Sequence, residues 1–265
     1  MANPMERILS QGSPEKEPQP KKRIVLIRHP EVNYRLVTPI KRAAPGEDIN
    51  THSPISMKGL EHTRLLAEQL VQEFPWPVKD LEYAFYSSPI KRARSEAEIL
   101  EGVVRLSVAD GKQIPVPANN NREIVEDFSE VLFTDDPRED EVITKEARKR
   151  GLKAVDVWLE REGEKLLPRF QTKLAEVQRA FAYLKEQPTK LDLVVSHGLT
   201  IAVSVWAMKN SERLVDQEYK LTLEDLTEII EISKQVGNTS LTEFEVFDQE
   251  VKPKSIGLTP HIPKI

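Results

Sequence analysis

Ile24-Val25-Leu26-Ile27-Arg28-His29-Pro30-Glu31 joins four consecutive apolar residues, three of them β-branched, to a cation, an imidazole and a proline. A continuous apolar run of this length, stopped by proline, reads as a short strand buried on both faces. Open α/β sheets hold their ligands outside the carboxyl ends of the strands. Arg28 and His29 therefore occupy the end of the strand where a ligand is expected. A second apolar run, Leu191 to Val195, ends in the same manner at Ser196-His197-Gly198.

Between and after these two strands the pattern alternates. Helical spacing begins at Ser56 and runs through Leu60, Leu65, Leu66, Leu70 and Phe74 to the break at Pro75-Trp76-Pro77. Leu81 to Tyr86 reads as a strand, and Ser87-Ser88-Pro89 as a cap opening a helix to Leu100, with Arg92 in its first turn. A short strand is expected at Gln113 to Val116, its prolines marking an edge. Residues 119 to 140 are acidic and without period. Helices are expected over Glu141–Glu160 and Glu164–Lys185 with a pause at Gly163, then Gly198–Met208. A further helix runs from Leu223 to Lys234, with Thr222 and Asp225 at capping-box spacing. Thr239 to Phe247 alternates as a strand does, and Lys252–Ile265, with three prolines, reads as a surface tail.

Strands alternating with helices argue for an α/β fold: three layers, a mainly parallel sheet with helices on both faces. Residues 1–20, with four prolines among polar residues, read as a disordered tail, residues 21–250 as a single domain, and 251–265 as a second tail. Long insertions fall near 33–54 and 127–163.

Composition bounds the function. A net charge of -5 gives no basic field to recruit nucleic acid or an acidic membrane surface. No cysteine occurs, which excludes disulfides, thiolate metal sites and a cysteine nucleophile, and fits a reducing, cytoplasmic setting. No run of 18 apolar residues is present. The expected partner is a phosphorylated small molecule, with a phosphoprotein also open.

The chemistry these residue types serve together is phosphoryl transfer. It needs forked cations on the equatorial oxygens, a nucleophile, and a proton for the leaving oxygen. Arginine matches phosphate geometry, neutral histidine attacks phosphorus, and a carboxylic acid protonates the leaving group.

Taken together the motifs resemble a known family. Arg28-His29-Pro30-Glu31 is similar to the Arg-His-Gly-Glu signature of the histidine phosphatase (phosphoglycerate mutase-like) superfamily. Pro54-Ile55-Ser56-Met57-Lys58-Gly59 resembles its Pro-Leu-Thr-x-x-Gly element, and Ser87-Ser88-Pro89-Ile90-Lys91-Arg92-Ala93 its Ser-Ser-x-x-x-Arg-Ala element. Gly163-Glu164 with Arg169 is similar to its Gly-Glu-Ser helix start. Val195-Ser196-His197-Gly198 resembles its second-histidine motif, and Asn238-Thr239-Ser240 the start of its last strand. The matches keep family order from about residue 23 to 247. The resemblance implies a phosphoglycerate mutase-like fold and no cofactor or metal. It implies that His29 is the nucleophile and that Arg28, Arg92 and His197 bind the phosphoryl group. It also implies an acid after the third strand, for which Glu123 is the first choice, with Glu126 and Asp127 as alternatives.

This sequence departs from the family in two places. Pro30 stands where the family has Gly, and Val32 where Ser or Thr is common. No Trp occurs between Tyr34 and Asn50, which argues for a phosphatase over a cofactor-dependent mutase. A non-catalytic, phospho-ligand-binding member is the third reading, and Pro30 is its support. Arg35, Lys41 and Arg42 are candidates for a second anionic group of the substrate.

Overall fold

The computed structural model describes residues 19–32, 55–73, 83–106, 108–109, 112–113, 123–134, 137–216, 218–248 and 250–259. The segments expected as an N-terminal tail (1–18) and a long loop (33–54), including Arg35, Lys41 and Arg42, lie outside them.

Two strands at the centre of the molecule, β1 (Lys22–Arg28) and β6 (Leu191–Ser196), pair in parallel, with Arg28 opposite Ser196. Beyond β6 lie β2 (Tyr83–Ser87) and the two-residue β5 (Glu123–Ile124), both parallel to it. On the other side of β1, β7 (Leu241–Val246) and β8 (Val251–Leu258) run antiparallel. The sheet order is β5-β2-β6-β1-β7-β8. The sheet is therefore mixed, a parallel block of four strands with an antiparallel pair on one edge. The minimal hairpin of β3 (Val108–Ala109) and β4 (Lys112–Gln113) stands apart from it.

Side chains of a strand point alternately to the two faces. Ile24 and Leu26 of β1 join Val194 in one core, and Val25 and Ile27 join Leu193 and Val195 in the other. The second core is roofed by α1 (Met57–Glu73) and α2 (Lys91–Leu106) through Leu66, Leu70, Ala97 and Leu100. The first lies under α3 (Pro137–Arg150), α4 (Ala154–Glu186), α5 (Gly198–Lys209) and α6 (Leu223–Gln235). Helices thus cover both faces, as the doubly apolar strands require. Thr222 and Asp225 close the expected capping box on α6. Among the described residues no helix is long and apolar enough to cross a membrane.

Three elements differ from the sequence reading. Residues 251–258 form the edge strand β8, where a tail was expected. Pro253 and Gly257 are tolerated because an edge strand bonds on one side only. The third sheet strand falls at Glu123–Ile124, inside the acidic stretch, rather than at Gln113–Val116, most of which lies outside the described residues. The helical pair divides at Gly151–Lys153, where Leu152 N–H returns to Ala147 C=O at 2.9 Å and closes α3. The pause expected at Gly163 is a kink at Glu162 within the 33-residue α4.

At the amino ends of β1 and β6 sits a buried ion pair. Lys22 Nζ lies 2.6 Å from Asp192 and also donates to Thr189 Oγ1 at 2.8 Å. Burial pushes the Asp192 carboxyl up to about 6, against the pull of Lys22. Removing one partner of such a pair strands the other charge in the interior. Asp192→Ala should therefore lower the free energy of unfolding by about 3–5 kcal/mol, read from a denaturant titration. A change within about 0.5 kcal/mol, the scale of an exposed substitution, would show that the pair does not hold the two strands together.

Candidate active site

Register brings the site together. Because Arg28 pairs with Ser196, β1 and β6 end side by side, and His29 N–H donates to Ser196 C=O at 2.9 Å. His29 and His197 leave these adjacent ends with ring centroids 5.1 Å apart. On the other flank Arg28 N–H donates to Ser240 C=O, and Thr239 N–H to Arg28 C=O. Thr239, at φ 55°, is the one non-glycine residue with positive φ among those described. Arg92 enters from the first turn of α2, and its side chain is buried.

Two close approaches shape the surrounding backbone. A Cβ on Gly59 would lie 2.3 Å from Glu31 O and 3.2 Å from Pro30 Cβ, so only glycine lets α1 lie against the loop after His29. A Cβ on Gly198 would lie 3.2 Å from Arg28 Cζ, and that glycine lets the guanidinium cross the start of α5. There Arg28 donates to Val236 C=O.

Hydrogen bonds fix the state of His29. Its Nδ1 lies 2.8 Å from Pro30 C=O, which can only accept, so Nδ1 carries the hydrogen. Arg92 Nε, which can only donate, lies 3.1 Å from Nε2. Nε2 therefore holds a lone pair on a neutral ring. Burial first, then the guanidinium of Arg92, holds the imidazole down to a pKa of about 3, with Arg28 adding to this and the Pro30 bond opposing it. His197 is held well below its ordinary value by burial, then by the nearby charge of His29, Arg92, Lys173 and Arg28. Its Nε2 lies 2.8 Å from Ser88 Oγ, and its Nδ1 has no hydrogen-bond partner among the described residues.

In the free site the loop uses the Pro30 carbonyl, which proline has like any other residue. Proline offers no N–H, so the loop has one donor fewer for a bound anion.

The carboxylate at the site is Glu130, which forms an ion pair with Arg92. Glu123, the first choice from sequence, is corrected here. It sits exposed on the edge strand β5, where its carboxylate accepts from Tyr183 OH. Asp127 is bound by Arg179 at 2.8 Å, and Glu126 is exposed in the 3-10 turn Glu126–Phe128. Glu130 belongs to the same acidic run, and nothing in a run of carboxylates without period marks which one turns inward. Ser88, the partner of His197, was visible only as a helix cap. Arg169, on α4, reaches Leu132 C=O at 3.4 Å and ties α4 to the segment after Glu130.

His29, Glu130 and His197 offer ligand atoms within 4.8 Å of one another, a set able to hold a metal. Arg92 is bonded to both His29 and Glu130, so a metal ion there would have to displace a buried guanidinium. A cavity of about 450 Å³ opens from these groups, lined by Arg28, His29, Glu130, Lys153, Leu199 and Asn238 among others. Its size suits a small molecule.

The whole arrangement is similar to several solved structures. The phosphoglycerate mutase of Bacillus anthracis str. Sterne superposes with a TM-score of 0.55 at 17% identity, over 91% of this chain and 94% of that one. Bacillus stearothermophilus YhfR gives 0.53 at 21% identity, over 91% and 98%. A candidate alpha-ribazole-5'-P phosphatase of Escherichia coli str. K-12 substr. MG1655 gives 0.52 at 17%, over 90% and 97%. No family model and no curated protein matches the chain. At these identities the likeness is one of fold, and the fold is phosphoglycerate mutase-like.

The depressed pKa of His29 has a measurable consequence. The unfolded imidazole titrates near 6.5 and the folded one near 3, so the unfolded chain takes up the extra proton across that interval. The stability that neutral His29 contributes is complete above pH 6.5 and is lost as pH falls toward 3. Between about pH 7 and about pH 4, the native protein should lose about 2–3 kcal/mol more unfolding free energy than the His29→Asn variant. Denaturant titrations across that range make the comparison. Equal losses in the two proteins would mean that His29 titrates as if exposed.

Proposed function

We propose that the protein is a histidine phosphatase that hydrolyses a phosphate monoester of a small molecule through a phosphohistidine intermediate. One observation carries this reading: a buried neutral imidazole, hydrogen-bonded at Nδ1 to a carbonyl, whose Nε2 lone pair faces a guanidinium. That is a nucleophile held in its reactive tautomer beside a phosphate-binding cation.

The steps follow from the groups present. Nε2 of His29 attacks phosphorus as the ester P–O bond breaks. Arg28 and Arg92 carry the charge on the equatorial oxygens, and His197, neutral in the free protein, donates a hydrogen bond to one of them. In the free protein Arg92 binds Glu130; when it turns to phosphate, Glu130 can take up a proton and deliver it to the leaving oxygen. Water, losing a proton to the Glu130 carboxylate, then attacks the phosphohistidine, frees inorganic phosphate and restores His29. The leaving group would lie in the adjoining cavity, against Leu199, Lys153 and Asn238.

His29→Ala should abolish phosphate release from p-nitrophenyl phosphate, and the parent should accumulate an acid-labile phosphohistidine when quenched during turnover. Glu130→Gln should lower kcat/KM by about 10²–10⁴ on an alkyl phosphate, whose leaving oxygen needs the proton. On p-nitrophenyl phosphate, whose leaving group departs unaided, kcat/KM should fall little, while kcat falls because the same carboxylate activates the water of the second step. Glu123→Gln should leave both rates unchanged. Full activity of the His29 variant would sink the mechanism. Conversion of 3-phosphoglycerate to 2-phosphoglycerate without phosphate release would make the protein a mutase.

A further inference from the structure

A buried cation that the proposed reaction has not used lies against the segment that carries Glu130. Lys173, on α4, is 4% exposed. Burying an ammonium is costly, and an apolar side chain would fill the space more cheaply. Its partners are Ser129 Oγ, at 2.9 Å, and the Glu176 carboxylate one turn along the same helix.

Ser129 immediately precedes Glu130, and each of its polar groups is engaged. Its N–H donates to Glu126 C=O at 2.9 Å, its C=O accepts from Thr200 Oγ1 at 2.7 Å, and its hydroxyl accepts from Lys173. Phe128, one residue earlier, is buried, and its C=O accepts from Ser196 Oγ at 3.0 Å. The backbone leading to Glu130 is thus pinned by side chains from β6, α5 and α4. Of these only Lys173 brings a charge. That charge also acts on His197, which it opposes in taking up a proton. The other groups facing His197 are Arg28 and His29 from the end of β1, Ser88 and Arg92 from the start of α2, and Glu130 itself.

We propose that Lys173 is a positioning residue that aims the Glu130 carboxylate at the leaving oxygen, a role that rests on the phosphatase reading above. Its ammonium, balanced by Glu176, holds Ser129 and through it the direction in which Glu130 leaves the turn.

The experiment compares Lys173→Met, Lys173→Arg and Ser129→Ala with the parent, each checked for folding by its thermal melt. The readout is the ratio of kcat/KM on glycerol phosphate to kcat/KM on p-nitrophenyl phosphate, which reports transfer to His29 and not the later hydrolysis. Lys173→Met should lower that ratio by about 10-fold or more, because in that step a misdirected acid harms only the poor leaving group. Lys173→Arg should restore most of the ratio, and Ser129→Ala should lower it as Lys173→Met does. A merely structural defect would depress both substrates by the same factor, and that result overturns the positioning role.

Should the parent hydrolyse neither ester, the phosphatase reading falls and takes the positioning role with it. A parent that hydrolyses both, with the ratio unchanged in a folded Lys173→Met protein, leaves that reading standing and overturns the positioning role alone.

Discussion

Everything at the site depends on one imidazole with both nitrogens spoken for. Pro30 C=O takes the hydrogen of Nδ1, Arg92 Nε–H meets Nε2, and burial keeps a proton from joining. The loop that supplies the carbonyl can lie where it does only because Gly59 presents no Cβ to it. The helix that supplies the guanidinium starts at the end of β2, the strand on the far side of β6. His29 is therefore the meeting point of three separately built elements, and its state is set by backbone placement more than by any one neighbouring side chain.

The free site is also occupied by its own charges. Arg92 spends its fork on His29 and Glu130, groups that a phosphoryl ligand would separate from it. An anion entering the cavity competes with Glu130 for the same guanidinium.

The sequence was most informative where a residue is buried on all sides and least where its partner lies elsewhere in the chain. β1 and β6 are continuous apolar runs because both of their faces are covered, and they announced themselves together with the histidines at their ends. Arg92 was marked by the serine cap before it. β8 was invisible: Pro253, Gly257 and its lysines have no apolar face, and its pairing comes wholly from β7. Glu130 was hidden for a related reason. What turns it inward is the pinning of Ser129 by residues 44 and 71 positions away, and no local pattern encodes that. The break between α3 and α4 was misplaced because Gly163 looked like a stop, while α4 absorbs it as a kink.

The antiparallel strand β7 beside β1 has a consequence for how such a protein can change. A parallel neighbour would end at the site, as β6 does. β7 instead begins there, so the Val236–Ser240 segment enters the site ahead of its strand and is laced to Arg28 by hydrogen bonds of 3.0 and 3.1 Å. That wall of the cavity shares its backbone bonds with the residue preceding His29. A substitution there that moves the chain moves His29 too. At the opposite wall Lys153 and Val155 line the cavity at the start of α4, and among the described residues no backbone hydrogen bond ties them to β1. Divergence toward new substrates has a free side and a constrained side in this fold, and the direction of a single strand decides which is which.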